Sequence, residues 1–181
     1  SHTHHHAGVT ADLASGTAAS AAPVGSDRLS GIENLEGTSY ADRLAGDGGA
    51  NALKGAQGAD VLEGRGGADR FVYGQNNDSQ NNDSYPTYDS SPGAPDRILD
   101  FSRNQGDRID LSAVDANAQV TGDQAFQFIG QDAFTAAGQV RFFKAAGDTV
   151  VEVNTDNAAA GAEMRIEIDP VVNFQATDFV L

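Results

Sequence analysis

Between Gly37 and Val72 an apolar residue recurs every nine positions, at Leu44, Leu53, Leu62 and Phe71, and each stands between stretches rich in Gly and Asp. One apolar centre per nine residues predicts a short strand between turns, repeated four times. After Pro95 the pattern changes to longer strand-like segments at 97–101, 108–111, 125–129, 139–144, 149–154, 163–169 and 178–181. Strict alternation in Met164-Arg-Ile-Glu-Ile168 predicts a strand with one wet face. Upstream, residues 9–13 read as a further strand and the Ala/Ser/Gly segment 14–22 as loop. The Asn/Asp/Ser/Pro stretch from Gln75 to Pro95 reads as a long loop. The chain is therefore expected to be all-β. It divides into an N-terminal extension with irregular capping turns (1–36), a repeat roll (37–78), a loop (79–95) and a C-terminal antiparallel β cap (96–181).

Four units align without a gap: GTSYADRLA from Gly37, GDGGANALK from Gly46, GAQGADVLE from Gly55 and GRGGADRFV from Gly64. Position one is always Gly; position six is Asp42, Asn51, Asp60 and Asp69. Gly at these turns lets backbone carbonyls approach one another closely. Turn, strand, turn and strand make one coil of two units. Coils stacked at strand spacing, about 4.8 Å, set Asp42 over Asp60 and Asn51 over Asp69. Two carboxylates about 5 Å apart repel by roughly 1 kcal/mol at the dielectric of water and roughly 3 kcal/mol at an effective value of 20. The bare stack thus opposes its own folding, and a divalent cation reverses the sign. Carboxylates with turn carbonyls form a hard oxygen set that suits Ca²⁺ better than Mg²⁺. The expected ligands are Gly37, Ser39 and Asp42; Gly46, Gly48 and Asn51; Gly55, Gln57 and Asp60; and Gly64, Gly66 and Asp69. Continuing the phase through 73–81 adds Asp78, above Asp60. Asn51 makes the Asn51/Asp69 site the weaker one. Upstream, Asp27/Leu29 and Glu33/Leu35 keep the acid-x-Leu pattern with an irregular step, as a terminal capping turn should.

Charge narrows the functions further. The 181 residues carry 26 acidic and 11 basic side chains, a formal net charge of −15, with Lys54 and Lys144 the only lysines. Nothing here can build a basic face for nucleic acid or an anionic membrane. No apolar run is long enough to span a bilayer, and no Sec-type leader is expected from the N-terminal residues. With no Cys, and with His2, His4, His5 and His6 as the only histidines, neither a thiol nor a Ser-His-Asp site can be assembled, and His-Glu-x-x-His is absent. The segment is expected to be non-catalytic, any activity of a parent protein residing elsewhere.

The units have the form of the calcium-binding nonapeptide of RTX (repeats-in-toxin) proteins, G-G-x-G-x-D-x-U-x, with the second Gly replaced by Thr38, Asp47, Ala56 and Arg65. Together with Asp69-Arg-Phe-Val-Tyr-Gly74, Asp96-Arg-Ile-Leu-Asp-Phe101 and Gly106-Asp-Arg-Ile-Asp-Leu-Ser112, they make residues 25–181 resemble the C-terminal β-roll domain of serralysin-type metalloproteases and other RTX exoproteins. That resemblance implies a right-handed parallel β-roll with calcium between its turns, and Asp100 as a further ligand. It also implies extracellular secretion by a type I ABC-transporter, with an uncleaved C-terminal signal at Thr177, Asp178, Phe179, Val180 and Leu181. The parent would be a metalloprotease, epimerase or lipase. A second likeness, through Asp83-Ser-Tyr-Pro-Thr87 and the Ile-Leu-Asp-Phe strand, is to the R-modules of secreted mannuronan C-5 epimerases. It implies alginate or another polysaccharide as partner, with Tyr85, Tyr88, Arg97 and Arg108 in contact, against the repulsion of a −15 chain for a polyanion.

Overall fold

The computed structural model describes residues 7–20, 25–76, 87–117, 119–156 and 161–181. An N-terminal meander is formed by β1 (Val9–Asp12), β2 (Thr17–Ser20) and β3 (Ser26–Arg28). The repeats follow as β4 (Asn34–Glu36), β5 (Arg43–Ala45), β6 (Ala52–Lys54), β7 (Val61–Glu63) and β8 (Arg70–Asn76). Next come β9 (Thr87–Tyr88), β10 (Asp96–Ile98) and β11 (Arg108–Ala113). The C-terminal part holds β12 (Gln127–Phe128), β13 (Gln139–Ala145), β14 (Asp148–Asn154), β15 (Met164–Ile168), a short 3₁₀ turn η1 (Ala176–Asp178) and β16 (Phe179–Val180). Among the described residues there is no α-helix, and none long and apolar enough to cross a membrane.

The repeat strands alternate between two sheets. One runs β12-β13-β14-β15-β10-β7-β5-β1-β2-β3 and the other β16-β11-β8-β6-β4, with β9 paired to β8 at the side. Parallel registers step by eighteen residues, as one coil of two units requires: Arg43 pairs with Val61, Asn34 with Ala52 and Ala52 with Arg70. Each strand turns its position-eight residue inward. Leu44, Leu53, Leu62 and Phe71 are all buried, joined by Ile98 and Ile109 from the next strands of each sheet. The core between the sheets ends in aromatic contacts, with ring centroids 6.1 Å apart for Phe71–Phe101, 5.0 Å for Phe101–Phe174 and 5.3 Å for Phe174–Phe179.

Three expectations are corrected. Residues 17–20, expected as loop, form β2, antiparallel to β1 after a turn in which Gly16 has φ +66. Their small side chains lie at the margin of the sheet, where little apolar surface is needed, so no hydrophobic pattern marked them. The nine-residue phase does not continue past unit four. Position one of a fifth unit is Tyr73, fully buried, and the chain stays extended through it as the seven-residue β8 instead of turning. Finally, β10 and β11 are not antiparallel cap strands. They run parallel to β7 and β8, and β16 parallel to β11, so the roll extends beyond residue 95. The antiparallel region is β13–β14–β15, which joins the first sheet where β15 lies parallel to β10.

Candidate functional site

The turns stack as the repeat phase predicts, and the position-six side chains form two ladders. In one, Val9 N–H donates to Asp42 Oδ1 (2.5 Å), Asp42 N–H to Asp60 Oδ1 (2.8 Å) and Asp60 N–H to Asp96 Oδ1 (3.0 Å). In the other, Asn51 N–H donates to Asp69 Oδ1 (2.8 Å) and Asp69 N–H to Asp107 Oδ1 (2.9 Å). Asp96 therefore holds the place over Asp60 that the phase assigns to Asp78, which lies outside the described residues; the 36-residue register step from Val61 to Arg97 carries it there. Asp96 and Asp107 were missed by the sequence reading. Their signal is the tripeptide acid-x-apolar at Asp96-Arg-Ile98 and Asp107-Arg-Ile109, the same as Asp42-Arg-Leu44 in the repeats.

Position one is Gly for space. A Cβ on Gly55 would lie 2.2 Å from Asp60 Oδ2; one on Gly37 would lie 2.3 Å from Asp42 Oδ2 and 2.5 Å from the Gly55 carbonyl oxygen. On Gly64 it would meet Asp69 Oδ2 at 2.3 Å, and on Gly46 the Asn51 Oδ1 at 2.3 Å and the Gly64 carbonyl oxygen at 2.6 Å. Each position-six side chain folds back over the Cα that opens its own turn. Position three carries no such constraint in the second unit, where Gly48 faces open space, and Ser39 is exposed. Gly66 packs on Gly48 with its N–H on the Asp47 carbonyl, while Gln57 donates to Thr87 Oγ1 at 3.0 Å.

The ladders leave buried oxygen without a partner. Asp60 Oδ2, Asp69 Oδ2 and Asp96 Oδ2 accept nothing, and Asn51 Nδ2 donates to nothing. Burial pushes Asp60 up to about 7, with Asp42 and Asp89 adding repulsion. Burial likewise pushes Asp69 up to about 6, helped by Asp107 and Asp100, and Asp96 up to about 8, helped by Asp60 and Asp89. A third missed acid, Asp89, is buried beside the Asp60 rung and accepts the Gly74 N–H at 2.7 Å, with its carboxyl also raised by burial. The Tyr73 hydroxyl is buried with no partner and feels Asp96, Asp60 and Asp89. Asp100, implied by resemblance, accepts the N–H groups of Gly64 (2.9 Å) and Arg65 (2.6 Å).

Among the described residues, no three His, Cys, Asp or Glu side chains gather to hold a metal by themselves. A cation here needs turn carbonyls as well, and those of Gly55 and Gly64 lie against the opposing turns. Unpartnered buried carboxylate oxygens beside stacked carbonyls fit a hard divalent ion with flexible oxygen coordination.

Among the described residues, Tyr88, Arg97 and Arg108 are not brought together. Arg97, in the first sheet, pairs with Asp148 at 2.9 Å and approaches Asp169 (3.7 Å) and Glu167 (3.8 Å); Arg108 stands on the second sheet. Tyr88 bonds through its hydroxyl to Thr155 Oγ1 at 2.5 Å, and Tyr85 lies outside the described residues. Thr177 and Asp178 are in η1, and Phe179 and Val180 in β16 beside Ile109 and Asp110. Asp178 is buried on Arg103 at 2.7 Å, and Phe179 is buried against Phe128 and Phe174.

Residues 31–181 match the family model described as "Peptidase M10 serralysin C terminal". No curated protein matches the chain. A similar solved structure is the solution structure of the AlgE6R3 subunit of the Azotobacter vinelandii mannuronan C5-epimerase, 24% identical, covering 81% of this chain and 76% of that one with a TM-score of 0.34. The family match runs from the strand before the first repeat through both ladders to the last residue, and the chain accordingly belongs to the serralysin C-terminal family of M10 peptidases.

Proposed function

We propose that the chain is a non-catalytic, calcium-binding module of a secreted protein, folding fully only where calcium is abundant. The observation that carries this reading is the set of buried, unpartnered carboxylate oxygens on Asp60, Asp69 and Asp96. Stripped of cations, these groups either stay protonated or, once ionised, repel one another in a dry site, so ionisation destabilises the metal-free fold. Bound calcium supplies the positive charge that lets them ionise together. Asp42, Asp60, Asp89 and Asp96 would hold it on one edge, and Asp69, Asp100 and Asp107 on the other, with turn carbonyls completing the set. Metal binding then becomes folding free energy.

The C-terminal segment supports export before folding. Asp178 and Phe179 are buried in the finished domain, so a transporter reading the last residues would meet them only in the unfolded chain. In low calcium the acidic chain stays open and the address accessible; outside the cell, calcium closes it. Of the residues proposed for polysaccharide contact, Tyr88, Arg97 and Arg108 are dispersed, and the geometry supports calcium-driven folding best. Circular dichroism on the chelated chain at pH 8 is the test. Millimolar Ca²⁺ should raise β-structure strongly and Mg²⁺ little, and equal folding in chelator would refute the proposal.

A further inference from the structure

Arg65 occupies position two of the fourth unit with φ +70, a left-handed conformation that Gly holds at lower cost. Its side chain gives a reason for Arg to be there. It leaves the turn toward the N-terminal end of the roll, where Nη1 donates to the Gly46 carbonyl at 2.8 Å. The guanidinium then clasps Asp12 at the end of β1 with two bonds, 2.9 and 2.6 Å. Asp12 is held well below the usual carboxylate range by this bond, so the pair stays ionised far into acid. On its other side, the Arg65 N–H is fixed by Asp100.

The rung that Arg65 crosses, turn 46–51 against turn 64–69, differs from its neighbours in three ways. Position six is the neutral Asn51, whose Oδ1 is engaged by the Asp47 N–H (2.8 Å) and whose Nδ2 is a buried donor without a partner. An amide N–H₂ there repels a metal ion. One carbonyl of the rung, that of Gly46, is already bound to a cationic group. And the charge the guanidinium brings is balanced by Asp12, which belongs to the N-terminal meander and to no turn of the roll, with Glu63 of β7 at 3.8 Å.

We infer that this rung takes no divalent ion and that the Arg65 guanidinium is its resident cation, tying β1 to the roll independently of calcium. The inference rests on the calcium reading of the other rungs. It makes the domain an unequal stack: one edge of the first coil is held by a covalent side chain, while the Asp42–Asp60–Asp96 ladder and the Asp69–Asp107 rung await metal.

Counting bound ions by native mass spectrometry and calorimetry at saturating Ca²⁺ tests it. Restoring the repeat consensus with Asn51→Asp and Arg65→Gly together should raise the count by one over wild type. Asn51→Asp alone should leave it unchanged, since the guanidinium still holds the Gly46 carbonyl. An unchanged count in the double variant, or an added ion in Asn51→Asp alone, overturns the inference while leaving the calcium function intact. A wild type that binds no calcium overturns the function itself. Should the double variant fold poorly, the Asn51→Asp count and amide exchange in wild type decide: the Thr10–Asp12 amides should stay protected at least tenfold better than in Arg65→Ala in chelator at pH 5, and equal exchange refutes the tie.

Discussion

Replacing Asp60 by Asn removes one charge from the most crowded rung of the roll while keeping an oxygen that can accept the Asp42 N–H. A carboxyl pushed from 3.8 to about 7 by burial and by Asp42 and Asp89 carries, at about 1.4 kcal/mol per unit, about 4 kcal/mol of destabilisation once it ionises in the fold. The new amide sits where Asp60 Oδ2 had no partner, and burying an unsatisfied N–H₂ costs about 1–3 kcal/mol. The net gain for the metal-free variant at pH 8 is therefore about 1–3 kcal/mol. Its pH dependence follows from the raised value: the folded state binds more protons than the unfolded state between about 4 and 7, so wild-type stability is fully present below that window and lost as pH rises through it. At pH 4 the variant should have lost its advantage. Circular dichroism of both chains in chelator at each pH, titrated with a stabilising osmolyte where the fold is not populated, measures this, and calcium should invert the order because the variant lacks a ligand. A variant no more stable than wild type in chelator at pH 8, or one equally advantaged at pH 4, would refute the electrostatic argument.

The same linkage applies to the whole metal-free domain: with Asp69 near 6 and Asp96 near 8 as well, its thermal midpoint should fall steadily from pH 4 to pH 8, and a flat profile would contradict it. Two glycines of one turn should behave oppositely. Gly46→Ala drives a Cβ to 2.6 Å from the Gly64 carbonyl oxygen and should cost more than about 2 kcal/mol, whereas Gly48→Ala meets nothing and should stay within about 0.5 kcal/mol by denaturant titration. Phe179→Ala empties a site against Phe128 and Phe174 and should cost about 3 kcal/mol in the calcium-loaded domain, read as a shift in urea midpoint; no shift would mean the C-terminal strand is not part of the folded core.

The nine-residue spacing of Leu44, Leu53, Leu62 and Phe71 was enough to set the strand register, the alternation between sheets and the pairing of Asp42 with Asp60 and Asn51 with Asp69. Each follows from local geometry: a unit of constant length returns its residues to the same place in every coil. That logic ended at Tyr73. A large apolar residue at position one, followed by an insertion, broke the phase. Only the folded chain could then reveal that Asp96 and Asp107 complete the ladders, that Asp89 joins the rung of Asp60, and that β10 and β11 belong to the roll. Their acid-x-apolar tripeptides were visible, but insertion length does not say which earlier strand a later one will pair with.

The amino-acid order alone thus determined the repeating part of this protein, because its contacts are copies of one short-range relation. Tertiary structure decided the contacts made once: β1 lying parallel to β5, Arg65 reaching Asp12 across 53 positions, and Phe179 closing the aromatic core. Contacts of that kind are selected by packing and charge balance between distant segments, and no period along the chain records them.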